Sequence, residues 1–292
     1  MRMARVYLTV FLGVLCMSTA SIMIRLCAAD ALVIAFYRVL FTSLLAFVLS
    51  FRNSLPSDVQ VIKKSFAYII GAGFFLAFHF AFWITSLDYT SVSSSVLFTN
   101  LQVIFVLVFS FLFLKERLSF KALTGIIIAL TGSVFIAGGD LKNGRFLGDM
   151  LSLLSGFFIA LYFLISRRIR NNVETFFYMG LVSLTAALPL LFLNLGFDNK
   201  LTGYSSLDWL WFILLALVPG IGGHASLTWA LKYVKAPIVA VSVLGESVGA
   251  SVLAYIFFGE NPLWYQWVGG ILIIIGIYTA VLNEYKRGQS PV

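Results

Sequence analysis

The chain has 292 residues, 61% of them hydrophobic and 11% charged, with a mean hydropathy of +0.99. That balance excludes an ordinary soluble domain and indicates a polytopic membrane protein. The formal charge of +8 does not point to a nucleic-acid partner, because the basic residues stand in short clusters between apolar runs and not on one contiguous face.

Ten apolar runs approach or exceed the ~20 residues needed to cross hydrocarbon. They lie near residues 6–28, 31–51, 66–87, 91–114, 120–138, 147–167, 175–196, 209–231, 236–258 and 264–283. The first follows Arg2 and Arg5 and contains Ser18-Thr19-Ala20, so a cleaved signal peptide is an alternative; a membrane span is preferred because the run stays apolar past the small residues. Cys16 and Cys27 both fall in this run and suggest neither a disulfide framework nor a metal site. With the N-terminus inside, only Lys142, Arg145 and Lys200 of the 20 Lys and Arg fall in outer loops, and Arg25 and Arg38 fall within spans. The other fifteen are on the inner side, which places both termini in the cytoplasm.

Shifting the second half back by 144 positions aligns Leu87 and Tyr89 with Leu231 and Tyr233, Glu116 with Glu260, Gly125 with Gly269, and Gly132 with Gly276. Each copy holds five spans, an odd number, so the second enters the membrane upside down. The expected fold is therefore all-α, ten transmembrane helices arranged as two inverted five-helix repeats, residues 1–142 and 143–292. In secondary transporters of this architecture the solute site lies near the midplane between repeats.

Polar residues inside the runs are functional candidates, because an ionisable group in hydrocarbon costs at least a few kcal/mol. His79, Gln102, His224 and Glu246 lie roughly 10–17 Å from the nearer end of their spans at ~1.5 Å per residue. Glu246 is the repeat counterpart of Gln102, and His224 is one position from that of His79. Pro219-Gly220 and Gly222-Gly223 precede His224, a run of poor helix formers. It predicts a broken or kinked eighth span facing a wet cavity, or close helix packing through glycine, or both. Helical spacing adds Trp83, Ser86, Thr228 and Ser242 as lining candidates, with Tyr162 a weaker one; Trp83 could stack on a flat or cationic solute. Arg25 and Arg38 are expected in the outer halves of the first two spans, snorkelling outward or giving an outer vestibule positive potential that favours a carboxylate or counters Glu246. Glu116 and Glu260 read as structural carboxylates at span ends.

Gly245-Glu246-Ser247-Val248-Gly249 matches G-x-S-x-G, but that motif needs a strand-to-helix turn and here lies in a long apolar run. No HExxH, phosphate-binding loop or dinucleotide fingerprint is present either, so an enzyme is not expected, and neither a cofactor nor a metal.

HFAFWITSLDYTSVSSSVLFTNL, FLFLKERLS, GGHASLTWALKYV, LGESVGASVLAYIFFGE and GGILIIIGIYTAV, with Arg38 in AFYRVLF and Tyr162 and Arg167 in YFLISRR, resemble the drug/metabolite transporter superfamily, in its ten-span branch of two EamA-type repeats. The resemblance covers nearly the whole chain. It implies an inner-membrane carrier of small organic solutes working by alternating access. It also implies a central cavity lined from the first, third, fourth, sixth, eighth and ninth spans, here carrying His79, Trp83, Asn100, Gln102, Tyr162, His224 and Glu246. The family often has proline where this chain has Val103 and Ser247, a departure from which loss of the kink in both repeats is expected.

The expected function is export of a small organic metabolite, with amino acids or their analogues favoured, the proton as candidate coupling ion, and Glu246 and His224 exchanging proton and substrate. A multidrug carrier of amphipathic solutes is the alternative, with a channel or scramblase, or an intramembrane enzyme using Ser247, less favoured. The partners are a small-molecule substrate, protons and the bilayer, without nucleic acid. Orientation is checkable: with Cys16 and Cys27 replaced by Ser, Lys200→Cys should react with an impermeant maleimide on intact cells, whereas Lys121→Cys should react only after permeabilisation. The reverse pattern would invert the topology.

Overall fold

The computed structural model describes residues 3–52, 59–90, 92–138, 146–169, 173–259 and 264–289. Arg2, Lys142, Arg145, Arg170, Glu260 and the expected boundary at 142/143 lie outside the described residues. The described residues are helical with no strand, as a chain surrounded by hydrocarbon requires, since a helix satisfies its own backbone donors and acceptors. Eight helical stretches are long and apolar enough to cross a bilayer, and two shorter apolar ones, Phe98–Leu114 and Phe120–Phe135, complete the ten.

Span 1 is Met3–Ser18 continued by Ala20–Leu26, and spans 2 and 3 are Ala31–Arg52 and Val59–Tyr89. Span 4 joins Val92–Asn100 to Gln102–Leu114, and span 5 is Phe120–Gly138. Spans 6 and 7 are Phe146–Ile169 and Thr175–Gly196. Span 8 runs through Ser206–Leu215, a π-helical segment Ala216–Ala225, and Ser226–Ala230. Span 9 joins Ala236–Val243 to Gly245–Phe258, and span 10 is Trp264–Gln289. Large apolar side chains such as Phe11, Phe51, Phe113, Phe192 and Trp267 remain exposed, the outer surface expected where lipid is the solvent.

Three features recur at the 144-residue spacing. Span 4 ends on Lys115 in the left-handed conformation (φ 55°), and span 9 ends on Gly259 in the same conformation (φ 67°). Glycine adopts it freely, whereas lysine pays a steric cost of about 1–2 kcal/mol, so the cap belongs to the architecture and not to the residue. Spans 4 and 9 are interrupted at Leu101 and Leu244, one position apart in the repeat register, where backbone bonds skip three residues: Leu101 N to Phe98 O, Ile104 N to Leu101 O, Leu244 N to Val241 O and Ser247 N to Leu244 O. Loss of the proline expected to kink these spans does not leave them regular helices. The irregularity persists without proline because the local backbone adopts tighter bonding.

The third feature is reciprocal. Gly125 of span 5 lies against Gly276 of span 10, and Gly132 against Gly269; each glycine thus meets the counterpart of the other, the pairing that a two-fold relation between inverted copies produces. A Cβ on Gly276 would stand 2.4 Å from Ala129 N and 2.5 Å from Gly125 O. Only hydrogen fits, and the two backbones touch in the manner of small-residue membrane crossings.

The same register exposes an asymmetry. Phe105 and Phe109 stack edge-on to Phe157, with ring centroids 5.6 and 5.9 Å apart, and fill the crevice between spans 4 and 6. Their counterparts Gly249 and Leu253 instead line an apolar groove of ≈ 690 Å³ between spans 1, 9 and 10.

Gly276→Val should lower stability by about 3 kcal/mol or more through overpacking. Gly270→Ala, whose new methyl would lie 3.7 Å from its nearest neighbour, should not lower it and should gain up to about 1 kcal/mol from helix propensity. Thermal melts of the two purified variants check both, and equal melts would disprove the tight crossing.

Candidate functional site

Where span 8 turns π-helical, its glycines touch spans 1 and 2. A Cβ on Gly220 would meet Thr42 Oγ1 at 2.5 Å, one on Gly222 would meet Cys16 Sγ at 2.9 Å, and one on Gly223 would meet Met17 Cγ at 2.5 Å. Pro219 has no N–H to donate and the glycines resist regular helix, yet the segment stays helical by widening its turns. The sequence allowed for a break or for close glycine packing; the packing is what forms, and it carries His224 to the side of Met17 and Arg38.

These residues border a central cavity of ≈ 30 Å³, enough for about two water molecules. Span 1 contributes Met17 and Ala20, span 2 Arg38, span 3 His79 and Trp83, and span 4 Val96, Thr99, Asn100 and Gln102. Ile159 and Phe163 of span 6, His224 of span 8, and Val243 and Glu246 of span 9 close it. His79, Trp83, Asn100, Gln102, His224 and Glu246 are all buried. The shared depth read from the sequence is thus a shared cavity.

Within it, His79 Nδ1 lies 2.8 Å from Ser155 Oγ and 3.2 Å from the Ser155 carbonyl. A carbonyl only accepts, so the Nδ1–H tautomer suits this partner and leaves Nε2 as the free acceptor. Trp83 lies parallel to His79 at 3° and 6.3 Å. The ring of His224 meets Phe80 edge-on at 5.3 Å and His79 at 6.3 Å. Asn100 Nδ2 donates to Ser247 Oγ at 2.8 Å, a bond that ties spans 4 and 9 directly across the repeats beside Glu246. It also leaves Ser247 as a hydrogen-bond partner inside a helix.

Three expectations change, while Arg25 keeps its expected outer position. Arg38 is not an outer-vestibule charge: it is 1% exposed and lines the central cavity, its guanidinium 4.2 Å over the Phe80 ring. Arg25 is exposed at the end of span 1 and is not among the cavity-lining residues. Tyr162 and Thr228 turn to each other, hydroxyl to hydroxyl at 2.8 Å, and link span 6 to span 8 without bordering the cavity. Ser86 pairs with Ser95 at 2.7 Å, while Ser242 borders the lipid-side groove. Spacing along one helix cannot decide which neighbour a polar side chain meets.

At the end that the charge count assigns to the cytoplasm, Glu116 does more than finish a helix. Its Oε1 accepts from Arg167 Nε at 2.8 Å and its Oε2 from Ala236 N at 3.1 Å, while Arg167 Nη1 also donates to the Leu231 carbonyl. Beside it Lys235 Nζ donates to Glu284 Oε2 at 2.6 Å and to the Arg117 carbonyl at 2.7 Å, and Glu284 Oε1 accepts from Ser119 N at 3.1 Å. The two clusters draw spans 4, 5, 6, 8, 9 and 10 together. Phe80 and Ser155 were not singled out by sequence, and Glu116 and Arg167 were named there without being paired; a phenylalanine among 29 and a serine in an apolar run give no signal until their neighbours are known.

A model of the EamA-like transporter family matches the chain twice, over residues 4–138 and 146–282. The chain belongs to the EamA-like transporter family. An uncharacterized transporter of Archaeoglobus fulgidus is similar to this EamA protein at 26% identity over 275 residues, covering 93% of this chain and 94% of the relative. Solute carrier family 35 member G1 of Mus musculus is 25% identical over 76% of this chain and 62% of its own length. GDP-fucose transporter 1 of Dictyostelium discoideum is 27% identical over 65% and 53%. A crystal structure at 19% identity superposes with a TM-score of 0.79 over 97% of the EamA chain and 98% of its own; at that identity it speaks for the fold alone.

Glu116→Ala strands Arg167 and the Ala236 N–H and should cost about 1–3 kcal/mol. Removal of the exposed Lys121 charge should stay within about 0.5 kcal/mol. Melting curves of Glu116→Ala and Lys121→Gln test the clamp, which a null effect of the first would refute.

Proposed function

We propose that this membrane transporter moves a small polar organic solute by alternating access, outward from the cytoplasm, with amino acids or their analogues favoured and a proton as the coupled ion. One observation carries the reading: ionisable and amide side chains from both repeats, Arg38, His79, Asn100, Gln102, His224 and Glu246, converge on one small cavity while the ion-paired clamp draws the cytoplasmic ends together. Room for about two waters admits no metabolite, so binding requires the spans to part, and the interrupted spans 4 and 9 and the π-helical span 8 supply the backbone irregularities at which they can. Glu246 would take up and release the proton, with His224 and the solute as its exchange partners. Basic groups and a carboxylate facing one another favour a solute that is itself dipolar.

Efflux of amphipathic solutes is the second reading, and the groove favours it. Ser18 and Gly245 border the groove while their neighbours Met17 and Glu246 border the cavity, so one wall separates lipid from site.

Proteoliposomes loaded with radiolabelled amino acids, or with a fluorescent amphipathic cation, distinguish the two. Saturable efflux of an amino acid, accelerated by an opposing proton gradient, is expected. Glu246→Gln should abolish the gradient drive while sparing exchange, because a permanently neutral side chain cannot carry the proton. Flux that rises linearly without saturation, or that neither Glu246→Gln nor His224→Gln alters, would defeat the proposal.

A further inference from the structure

The cavity holds polar atoms that the protein leaves without partners. Arg38 Nε and Nη1, Gln102 Oε1 and His224 Nδ1 are all buried and make no hydrogen bond, and all four belong to residues that border the same small cavity. Other buried side-chain atoms without a partner, such as those of Ser50, Ser110, Ser183 and Trp211, belong to residues that do not border the cavity; these four share one, and because buried polar groups are nearly always paired, it marks where a ligand's own polar atoms go.

Arg38 is the sharpest case. It is fully buried and forms no ion pair among the described residues, unlike Arg167 with Glu116 and Lys235 with Glu284. Phe80 lies under the guanidinium at 4.2 Å and Trp83 at 5.8 Å, which offsets part of the charge through the ring faces but satisfies no N–H. A buried cation without a hydrogen-bonded counter-charge is strongly unfavourable. Glu246 borders the same cavity but makes no ion pair with Arg38, which leaves the guanidinium's Nε and Nη1 donors open.

We infer that Arg38 anchors the carboxylate of the transported solute, and that Gln102 Oε1 accepts a hydrogen bond from an N–H of the same molecule. The inference rests on reading this cavity as the transport site. It specifies the substrate class as a small monocarboxylate bearing an amino or amido group. Guanidinium is the group best matched to a carboxylate, through paired charge-assisted bonds. Arg38 is the one arginine or lysine among the described lining residues, which suits a single carboxylate and not a diphosphate.

The test uses formate, acetate, glycine, glycinamide and methylammonium as probes on the purified full chain, each against chloride at equal ionic strength, with melting temperature as readout. A ligand that prefers the folded state raises it with concentration. Formate and acetate should raise it and glycine should raise it further, while glycinamide and methylammonium should match chloride. Arg38→Gln should lose the carboxylate response while melting, without probe, no lower than the parent, since it removes an unpaired charge. Arg38→Lys, with charge but no planar fork, should respond with about tenfold weaker affinity. Glycine and glycinamide acting alike in the parent would overturn the inference even if no variant folds, as would no carboxylate response at all, or a formate response retained in Arg38→Gln. A carboxylate response in a protein that shows no saturable flux in liposomes would sink the transporter reading and leave the anion site. Saturable flux of a simple amine with no carboxylate response would do the reverse.

Discussion

In the middle of a bilayer there is no water to take up a charge or an open backbone group, and the architecture follows from that constraint. Ten helices settle the backbone. The remaining polar side chains are costly against lipid, so those of spans 2, 3, 4, 8 and 9 turn inward to one cavity. Arg38 and Glu246 are buried at the same place without an ion pair between them, and the surrounding apolar spans leave room there for about two water molecules. Site and fold are thus one solution to one problem.

Duplication makes this solution compact. Two inverted copies cross at Gly125, Gly132, Gly269 and Gly276, and the same relation brings Asn100 of span 4 to Ser247 of span 9. Equivalence ends where function needs difference. His79 has a partner in Ser155 whereas His224 Nδ1 has none. Gln102 of one copy faces the cavity as a neutral amide where the other copy brings the carboxylate of Glu246. The crevice beside span 4 is filled by phenylalanine rings, and the one beside span 9, where Gly249 and Leu253 stand in their place, keeps an open groove. A symmetric frame holds an asymmetric centre.

Irregular backbone is placed with the polar groups and not at random. Leu101 follows Asn100 and precedes Gln102, Leu244 lies two residues before Glu246, and the π-helical segment contains His224. Each interruption leaves helix bonds that can be rearranged without exposing a donor to lipid, because protein surrounds it. The clamp of Glu116, Arg167, Lys235 and Glu284 is where such a rearrangement would meet resistance, since it is built from contacts that cross between helices of both repeats.

Hydropathy and the 144-residue register determined, without coordinates, that the protein crosses the membrane ten times and duplicates its five-helix unit, because span length and apolar content are properties of each segment alone. The same reading identified His79, Gln102, His224 and Glu246, since a polar residue in an apolar run stands out locally; helical spacing added Trp83, and Asn100 entered only through the family resemblance. Only the tertiary structure decided that Arg38 belongs to the cavity, that Tyr162 and Thr228 satisfy each other away from it, and that Pro219 to Gly223 widen a helix instead of breaking it. Those outcomes depend on which neighbouring helix each side chain meets. Depth along one span does not contain that information; the rotation of a helix about its axis and the close approach of spans 1, 2 and 8 do.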